Sequence, residues 1–296
     1  MRQIDLMIVG AQKAATTSLK NYLGKHPSLI THNLTEFAFF ANDEEYLEGF
    51  EHAFKKYFPE TFSHSAKKII AKNASLYENE EALTRLYEHN PDCLIVLIIR
   101  NPIERAYSSY NMERESGWYT KPWSAISTSL TNFSKGEKDQ MFRLFIELGL
   151  YSEHLKKILR FFPKQQVQII LFDELKSDPS AVCARLFRRL EVNDSIVVDT
   201  TVIHNPTKKA RSKKMGRFLI WLMNNENPLK IIAKKILPTK TFLKIRDWLF
   251  KANTGDTIAK LPPMSPEILG ELTAFFKPYN DELQMMTGLK LGHWNE

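Results

Sequence analysis

The sequence predicts an α/β fold of three layers, a central parallel β-sheet flanked by helices, with a basic helical C-terminal region. Three observations carry that expectation. Apolar strand-like runs alternate with helical patterns through the first two thirds of the chain, which is the pattern of a parallel sheet with crossover helices. The run Cys93 to Ile99 (CLIVLII) is unbroken and rich in β-branched residues, as a strand buried on both faces must be. The chain also opens on a short apolar run at 6–9 that passes through a tight turn into a helical pattern at Leu19, Tyr22 and Leu23.

The elements follow in order. After the first strand and helix comes a loop at 26–42, then a helix at 44–57. Lys68-Ile69-Ile70-Ala71-Lys72 reads as the second strand, and 79–89 as a helix. The central strand ends at Arg100-Asn101-Pro102 and a helix follows from 103 to 115. A long amphipathic helix is expected at 138–162, and Val167 to Phe172 is another buried strand. Asp178-Pro179 starts a helix to Leu190, with Asp at the N-cap and Pro at the first helical position. From 204 onward no strand is evident, and a final helix is expected at 265–287. The length of 296 residues suits a single domain, divided into an α/β core at 1–203, a basic helical segment at 204–252 and a closing portion at 253–296.

Ligands of parallel α/β sheets bind at the carboxyl ends of the strands. Gly10, Lys72 and Arg100 all fall at such ends. The first turn reads Gly10-Ala11-Gln12-Lys13-Ala14-Ala15-Thr16-Thr17-Ser18. A strand, a tight turn and a helix N-terminus make an anion site, because backbone N–H groups converge there and the helix dipole favours negative charge. An ATP-type P-loop reads G-x-x-x-x-G-K-[ST]. Counted from Gly10, Ala15 and Thr16 stand where Gly-Lys should be, and the lysine stands at position 13, inside the loop. From there it can reach the terminal group and bridging oxygen of a phosphoanhydride. A second candidate is Arg100-Asn101-Pro102-Ile103-Glu104-Arg105-Ala106-Tyr107-Ser108, an arginine leaving a central strand with a serine eight residues on. Arg100 and Ser108 can converge on one phosphate. Together the two motifs imply a nucleotide phosphorylated at both ends.

These residues resemble a family: sulfotransferases that use 3′-phosphoadenosine-5′-phosphosulfate (PAPS), above all bacterial enzymes related to the heparan sulfate sulfotransferases, both N-deacetylase/N-sulfotransferase and 3-O types. The resemblance implies that Lys13-Ala14-Ala15-Thr16-Thr17 with Ser18 holds the 5′-phosphosulfate, and that Arg100 and Ser108 hold the 3′-phosphate. Ala15 replaces the family's glycine, where positive φ is disfavoured for alanine. His26-Pro27, Thr35-Glu36-Phe37-Ala38-Phe39-Phe40, Lys72-Asn73-Ala74-Ser75-Leu76-Tyr77 and Lys260-Leu261-Pro262-Pro263-Met264 are similar to further segments of the family, with Thr35 in place of its common lysine. By that resemblance Glu36 is the catalytic base, desolvated beside Phe37, Phe39 and Phe40 so that its pKa would rise toward the working range. Lys13 would stabilise the bridging oxygen, Lys72 would contact the sulfuryl or phosphate oxygens, and Lys260 would close over the 5′-phosphate from a loop around Asn253-Thr254-Gly255. The reaction would need PAPS as co-substrate, give PAP (the 3′,5′-bisphosphate) as product and require no metal. No HxxxH or HxH pattern marks a metal site.

The charge of +7 is unevenly spread. Between His204 and Lys260, fourteen lysines and arginines face three acids, so that segment is about +11 and the rest of the chain about −4. The acceptor class left open by this surface is a small molecule or oligosaccharide, anionic or lipid-linked in character. An interfacial membrane contact through 216–237, without spanning, is a further option. A P-loop kinase using ATP and Mg²⁺, and a basic nucleic-acid or membrane binder without chemistry, are the rival classes; nucleic acid is not expected as a partner. Cys93 and Cys183 lack metal-ligand spacing and read as buried thiols. With no leader-like N-terminal pattern and no long apolar run, a soluble cytoplasmic protein is expected. Trp118, Tyr119 and Trp123 could form an acceptor platform or staple their own loop.

Overall fold

A computed structural model describes residues 2–58, 67–116, 118–201, 208–210, 212, 214–216, 218, 254–258 and 263–296. The chain divides into two compact units: Met1–Arg105 with Ile146–Asn205 and Gly270–Glu296, and Ala106–Phe145 with Pro206–Leu269.

The first unit holds a five-stranded parallel sheet of β1 (Leu6–Gly10), β2 (Leu29–Thr31), β3 (Lys68–Lys72), β4 (Leu94–Ile99) and β5 (Val167–Leu171), in the order β2-β3-β1-β4-β5. Every residue of β1 and β4 is buried, which explains why those two runs are apolar without alternation. β5 lies at an edge and is mostly half-buried. The chain leaves β1 through α1 (Thr16–Leu23) toward β2 on one side, and leaves β3 through α4 (Glu80–His89) toward β4 on the other. Because the two crossovers run in opposite directions, the carboxyl end of β1 is the switch point of the sheet order, the place where ligands of such sheets bind. α1 packs on β3 and on α9 (Pro179–Arg189), and α4 packs on α7 (Tyr151–Phe161). Asp178 caps α9 with its carboxylate on the Ala181 N–H at 2.9 Å, as its sequence signature predicts.

Several boundaries differ from the sequence reading. The loop at 26–42 contains β2, a three-residue edge strand too short to show a period. The helix expected at 44–57 is two helices, α2 (Asp43–Glu48) and α3 (Phe50–Tyr57), parted at Gly49 with φ 88° and ψ 158°, a conformation open to glycine. The long helix expected at 138–162 is interrupted by a π-turn at Phe142–Ile146 and a 3₁₀ turn at Glu147–Gly149 before α7 begins. Gly149 lies where a Cβ would come within 3.0 Å of Phe276 and Pro102, so close packing sets this corner. A short helix, α8 (Phe172–Ser177), precedes α9. Cys93 and Cys183 are buried free thiols, and burial raises the pKa of Cys183 to about 12.

The second unit takes in the later turns of α5 (Pro102–Ser116) and all of α6 (Ala125–Ser134). It also contains an antiparallel pair, β6 (Lys208–Ala210) with β7 (Thr254–Ile258), so the expectation of no strand after 204 is corrected. Three residues of β6 are too few for a pattern, and their partner is 44 or more positions away, out of reach of any local signal. β7 also replaces the loop expected around Asn253-Thr254-Gly255 from Thr254 onward. Tyr119 and Trp123 are buried with Tyr107, Tyr110 and Phe145 in one aromatic cluster, whereas Trp118 is exposed. Two of those three aromatics therefore staple their loop. The last helix, α10 (Pro266–Thr287), matches its expected span. No helix among the described residues is long and apolar enough to cross a membrane. Most of 204–252, including most of 216–237, and Lys260 lie outside the described residues.

Candidate active site

The site grows from the ends of three adjacent strands. β3, β1 and β4 are neighbours, and Lys72, the Gly10–Ala15 turn and Arg100 follow their carboxyl ends side by side. Gly10 is required by packing: a Cβ there would lie 2.4 Å from the ring of Tyr77, whose hydroxyl donates to the Leu148 carbonyl at 2.7 Å.

The turn is built from backbone conformation. Lys13 and Ala15 both take positive φ, 71° and 62°. Ala15 is the N-cap of α1 with ψ 25°, fully left-handed, so the alanine adopts the conformation that suits a glycine. No side chain caps α1, and the first helical bond runs from the Leu19 N–H to the Ala15 carbonyl at 3.1 Å. The amides of the first turn therefore point out of the helix end toward the turn, with Thr16 and Ser18 buried around them and Thr17 at the rim. Ala14 is buried beneath. This arrangement can hold a phosphate-like anion without a metal-binding carboxylate.

The neighbouring bank is built from side chains. Lys72, 1% exposed, donates to the Glu36 carboxylate at 2.5 Å, to the Thr35 carbonyl at 2.9 Å and to the Thr17 hydroxyl at 3.2 Å. The second Glu36 oxygen accepts the Ala74 N–H at 2.9 Å. Burial lowers the Lys72 pKa, and the facing carboxylate partly restores it. One lysine thus links the expected base to the helix that follows the phosphate turn. The desolvation expected from Phe37, Phe39 and Phe40 does not arise as the sequence suggested. Phe37, Phe39 and Phe40 are buried in the core, while the Glu36 carboxylate is 40% exposed and paired with a cation.

Arg100 reaches the phosphate turn through its contact with the Lys13 carbonyl at 3.4 Å. It lies over the Phe172 ring, 4.7 Å from its centroid, and pairs with Glu104 at 2.9 Å. Glu104 is a competitor for that guanidinium which the motif did not flag. Ser108 is buried on α5 and belongs to the second unit. Arg105, the other arginine of the run, is wholly buried, and its charge is felt by Tyr77, Tyr151, Glu78 and His154.

Two residues of the network escaped the sequence reading. His32 is buried, and its Nε2 accepts the Lys72 N–H at 3.1 Å. Burial, with Lys20 and Lys72 nearby, pushes its pKa down to about 3, so the ring is neutral. Lys20 is buried on α1, and burial followed by the Lys72 charge brings its pKa down to about 8. A lysine beside Leu19 and ahead of Tyr22-Leu23, on the apolar stripe of a short helix, was the available signal. Among the described residues, no group of three His, Cys, Asp or Glu side chains could hold a metal ion.

Residues 3–224 match the family described as "Sulfotransferase domain". The chain is 30% identical over 290 residues to heparan sulfate glucosamine 3-O-sulfotransferase 5 of Mus musculus, covering 96% of this chain and 72% of that protein. It is 29% identical over 215 residues to bifunctional heparan sulfate N-deacetylase/N-sulfotransferase 1 of Caenorhabditis briggsae, covering 69% of this chain but only 24% of that longer protein. Its fold is similar to a crystal structure of a sulfotransferase from Alicyclobacillus acidocaldarius, with a TM-score of 0.67 at 21% identity over the whole of both chains. With the family match spanning most of its length, the chain belongs to the sulfotransferase family.

Proposed function

We propose that the protein transfers the sulfuryl group of PAPS to a hydroxyl or amine of a saccharide, and that Glu36 and the phosphate turn are the two halves of the site. The observation that carries the reading is Lys72, whose ammonium touches both the Glu36 carboxylate and Thr17 at the start of α1. A base for the acceptor and a cradle for the donor are thereby held side by side. In the transfer, the acceptor oxygen or nitrogen bonds to sulfur as the bond from sulfur to the bridging phosphate oxygen breaks. Glu36 takes the acceptor's proton, and the electron pair released onto the phosphate oxygen is offset by Lys13 and the α1 N-terminus. Lys72 holds both reactants in line by bridging their halves. Arg100, bonded to the Lys13 carbonyl, holds the donor's 3′-phosphate; the family pattern alone assigns Ser108 to that phosphate and Lys260 to the 5′-phosphate. Lysines, an arginine and backbone amides supply the positive field, so the reaction proceeds without a divalent metal. The saccharide acceptor is supported by the names of the relatives, which act on heparan sulfate, and by the basic segment 204–252, which would attract an anionic sugar chain.

The test is incorporation of label from radiolabelled PAPS into heparan-type oligosaccharides in metal-free buffer. Labelled sugar, absent with Glu36→Gln, is expected. Transfer of phosphate from ATP with Mg²⁺, and none from PAPS, would replace this reading with a kinase.

A further inference from the structure

The segment from His32 to Phe37 carries Glu36 between two anchors on one residue. The His32 ring accepts the Lys72 N–H at 3.1 Å, and the Phe37 N–H donates to the Lys72 carbonyl at 2.8 Å. The stretch between those anchors has no regular secondary structure. Its shape is set by what its carbonyls find. Thr35 gives its carbonyl to the Lys72 ammonium. The carbonyls of His32 and Leu34 go to a different lysine. Lys20, 5% exposed, donates to the His32 carbonyl at 2.9 Å and to the Leu34 carbonyl at 3.1 Å.

Lys20 stands in the last turn of α1, where a cation suits the helix dipole. Its ammonium nevertheless leaves its own helix and bonds twelve and fourteen residues away. Keeping a charged amine buried is costly unless its donors are used, and here two of its three are used on the base-bearing segment. Its pKa of about 8 records the tension: burial and the Lys72 charge push it down, and the Glu36 carboxylate pulls it up. The ammonium therefore lies within electrostatic reach of the catalytic pair without bonding to either member.

We propose that Lys20 is a positioning residue for Glu36, fixing the 32–36 backbone from the α1 side as Lys72 fixes it from the β3 side. The proposal rests on Glu36 being the base. It makes α1 a shared support, with its N-terminus at the donor and its last turn under the acceptor's base. Donor and base then keep one spacing because one helix sets both, and a misplacement of about 1 Å can cost on the order of 10²-fold in rate.

The experiment compares Lys20→Met, which keeps the apolar stem and loses both donors, with Lys20→Arg, which keeps charge and donors. Turnover is followed with radiolabelled PAPS and a heparan-type oligosaccharide, donor binding by the thermal shift that PAP produces, and the segment by hydrogen exchange at Phe37 and Lys72. Lys20→Met should lower kcat about 10- to 100-fold, leave the PAPS KM and the PAP shift within about twofold, and speed exchange at both amides. Lys20→Arg should recover most of kcat. Wild-type kcat in Lys20→Met would overturn the proposal, as would a loss confined to PAPS KM, which would make Lys20 part of the donor site. If Lys20→Met does not fold, Lys20→Gln, with a shorter uncharged donor, takes its place under the same criteria. Normal turnover in Glu36→Gln would instead sink the base assignment itself. An inactive Glu36→Gln beside a normal Lys20→Met sinks the positioning role alone.

Discussion

The phosphate turn and the bank that carries Glu36 lie at the ends of neighbouring strands, yet they are made rigid by different means. The turn relies on backbone conformation: positive φ at Lys13 and Ala15, a glycine pressed against Tyr77, and a helix end with no side-chain cap. The bank relies on side chains: Lys72 and Lys20 between them take the carbonyls of His32, Leu34 and Thr35, and Lys72 pairs with Glu36. A cradle for a large anion needs converging amides, which only the main chain supplies in that density. A base needs one carboxylate at one place, which a buried cation can fix. The two halves should therefore fail differently.

Chemistry offers the largest contrast. Glu36→Gln should lower kcat by about 10²–10⁴ with donor affinity retained. Lys13→Ala should lower kcat by about 10²–10³ and weaken donor binding as well, since the same side chain would meet the ground-state anion. Steady-state kinetics beside PAP titration separates the two patterns, and identical patterns would break the comparison. Next comes Arg100→Ala. It removes charged contacts at the edge of the turn, so PAPS KM should rise about 10- to 100-fold while kcat changes only a few-fold. A kcat loss with unchanged KM would contradict its placement on the donor side.

Acid should act on three histidines of the fold, of which His32 belongs to the bank. His32 and His154 are buried and His89 is half-buried, all three neutral, with pKa values lowered from 6.5 to about 3 for His32 and about 4 for His89 and His154, chiefly by burial. A histidine depressed in the folded state binds fewer protons than in the unfolded chain, so its stabilisation is present above pH 6.5 and is lost as pH falls toward 4. Melting temperature should therefore drop steadily from pH 6.5 to 4. His89→Gln, which removes one of the three groups, should show a shallower drop. A flat profile would contradict this account of the core. The smallest effect belongs to the turn. A left-handed alanine costs about 1–2 kcal/mol, and glycine returns about 0.4–1 kcal/mol of that through the freer unfolded chain. Ala15→Gly should thus stabilise by about 0.5–1 kcal/mol in chemical denaturation, with activity retained. Destabilisation would mean that the Ala15 methyl contributes packing worth more than its strain.

What could be read from the sequence follows the same division. The three strand ends were legible because β1 and β4 are apolar runs buried along their length, and β3 has a buried apolar centre, Ile69-Ile70-Ala71, between two lysines. The phosphate turn was legible because lysine, threonine and small residues occur at fixed spacing after one of them. Glu36 was singled out only through the family resemblance, and its surroundings were misread: apolar neighbours in sequence turned into the core, and the partner came from Lys72, 36 positions away. Lys20 and His32 act through backbone carbonyls and an amide, contacts that leave no trace in residue spacing. Gly49, and Gly149 against Phe276, interrupted helices that amphipathic periodicity alone would have carried through. β6 and β7 pair across a long insertion, and non-local pairing is what a local pattern cannot report.

The turn with the early lysine should accept an adenosine phosphorylated at both ends. The direct measurement is a melting curve with PAP in buffer containing a chelator. At about 100 times its dissociation constant, a ligand of the folded state adds about 2.7 kcal/mol, or about 5 °C for a chain of this size. That rise is expected with PAP, and none with ATP and Mg²⁺. No rise with PAP, and one with ATP and Mg²⁺, would contradict it.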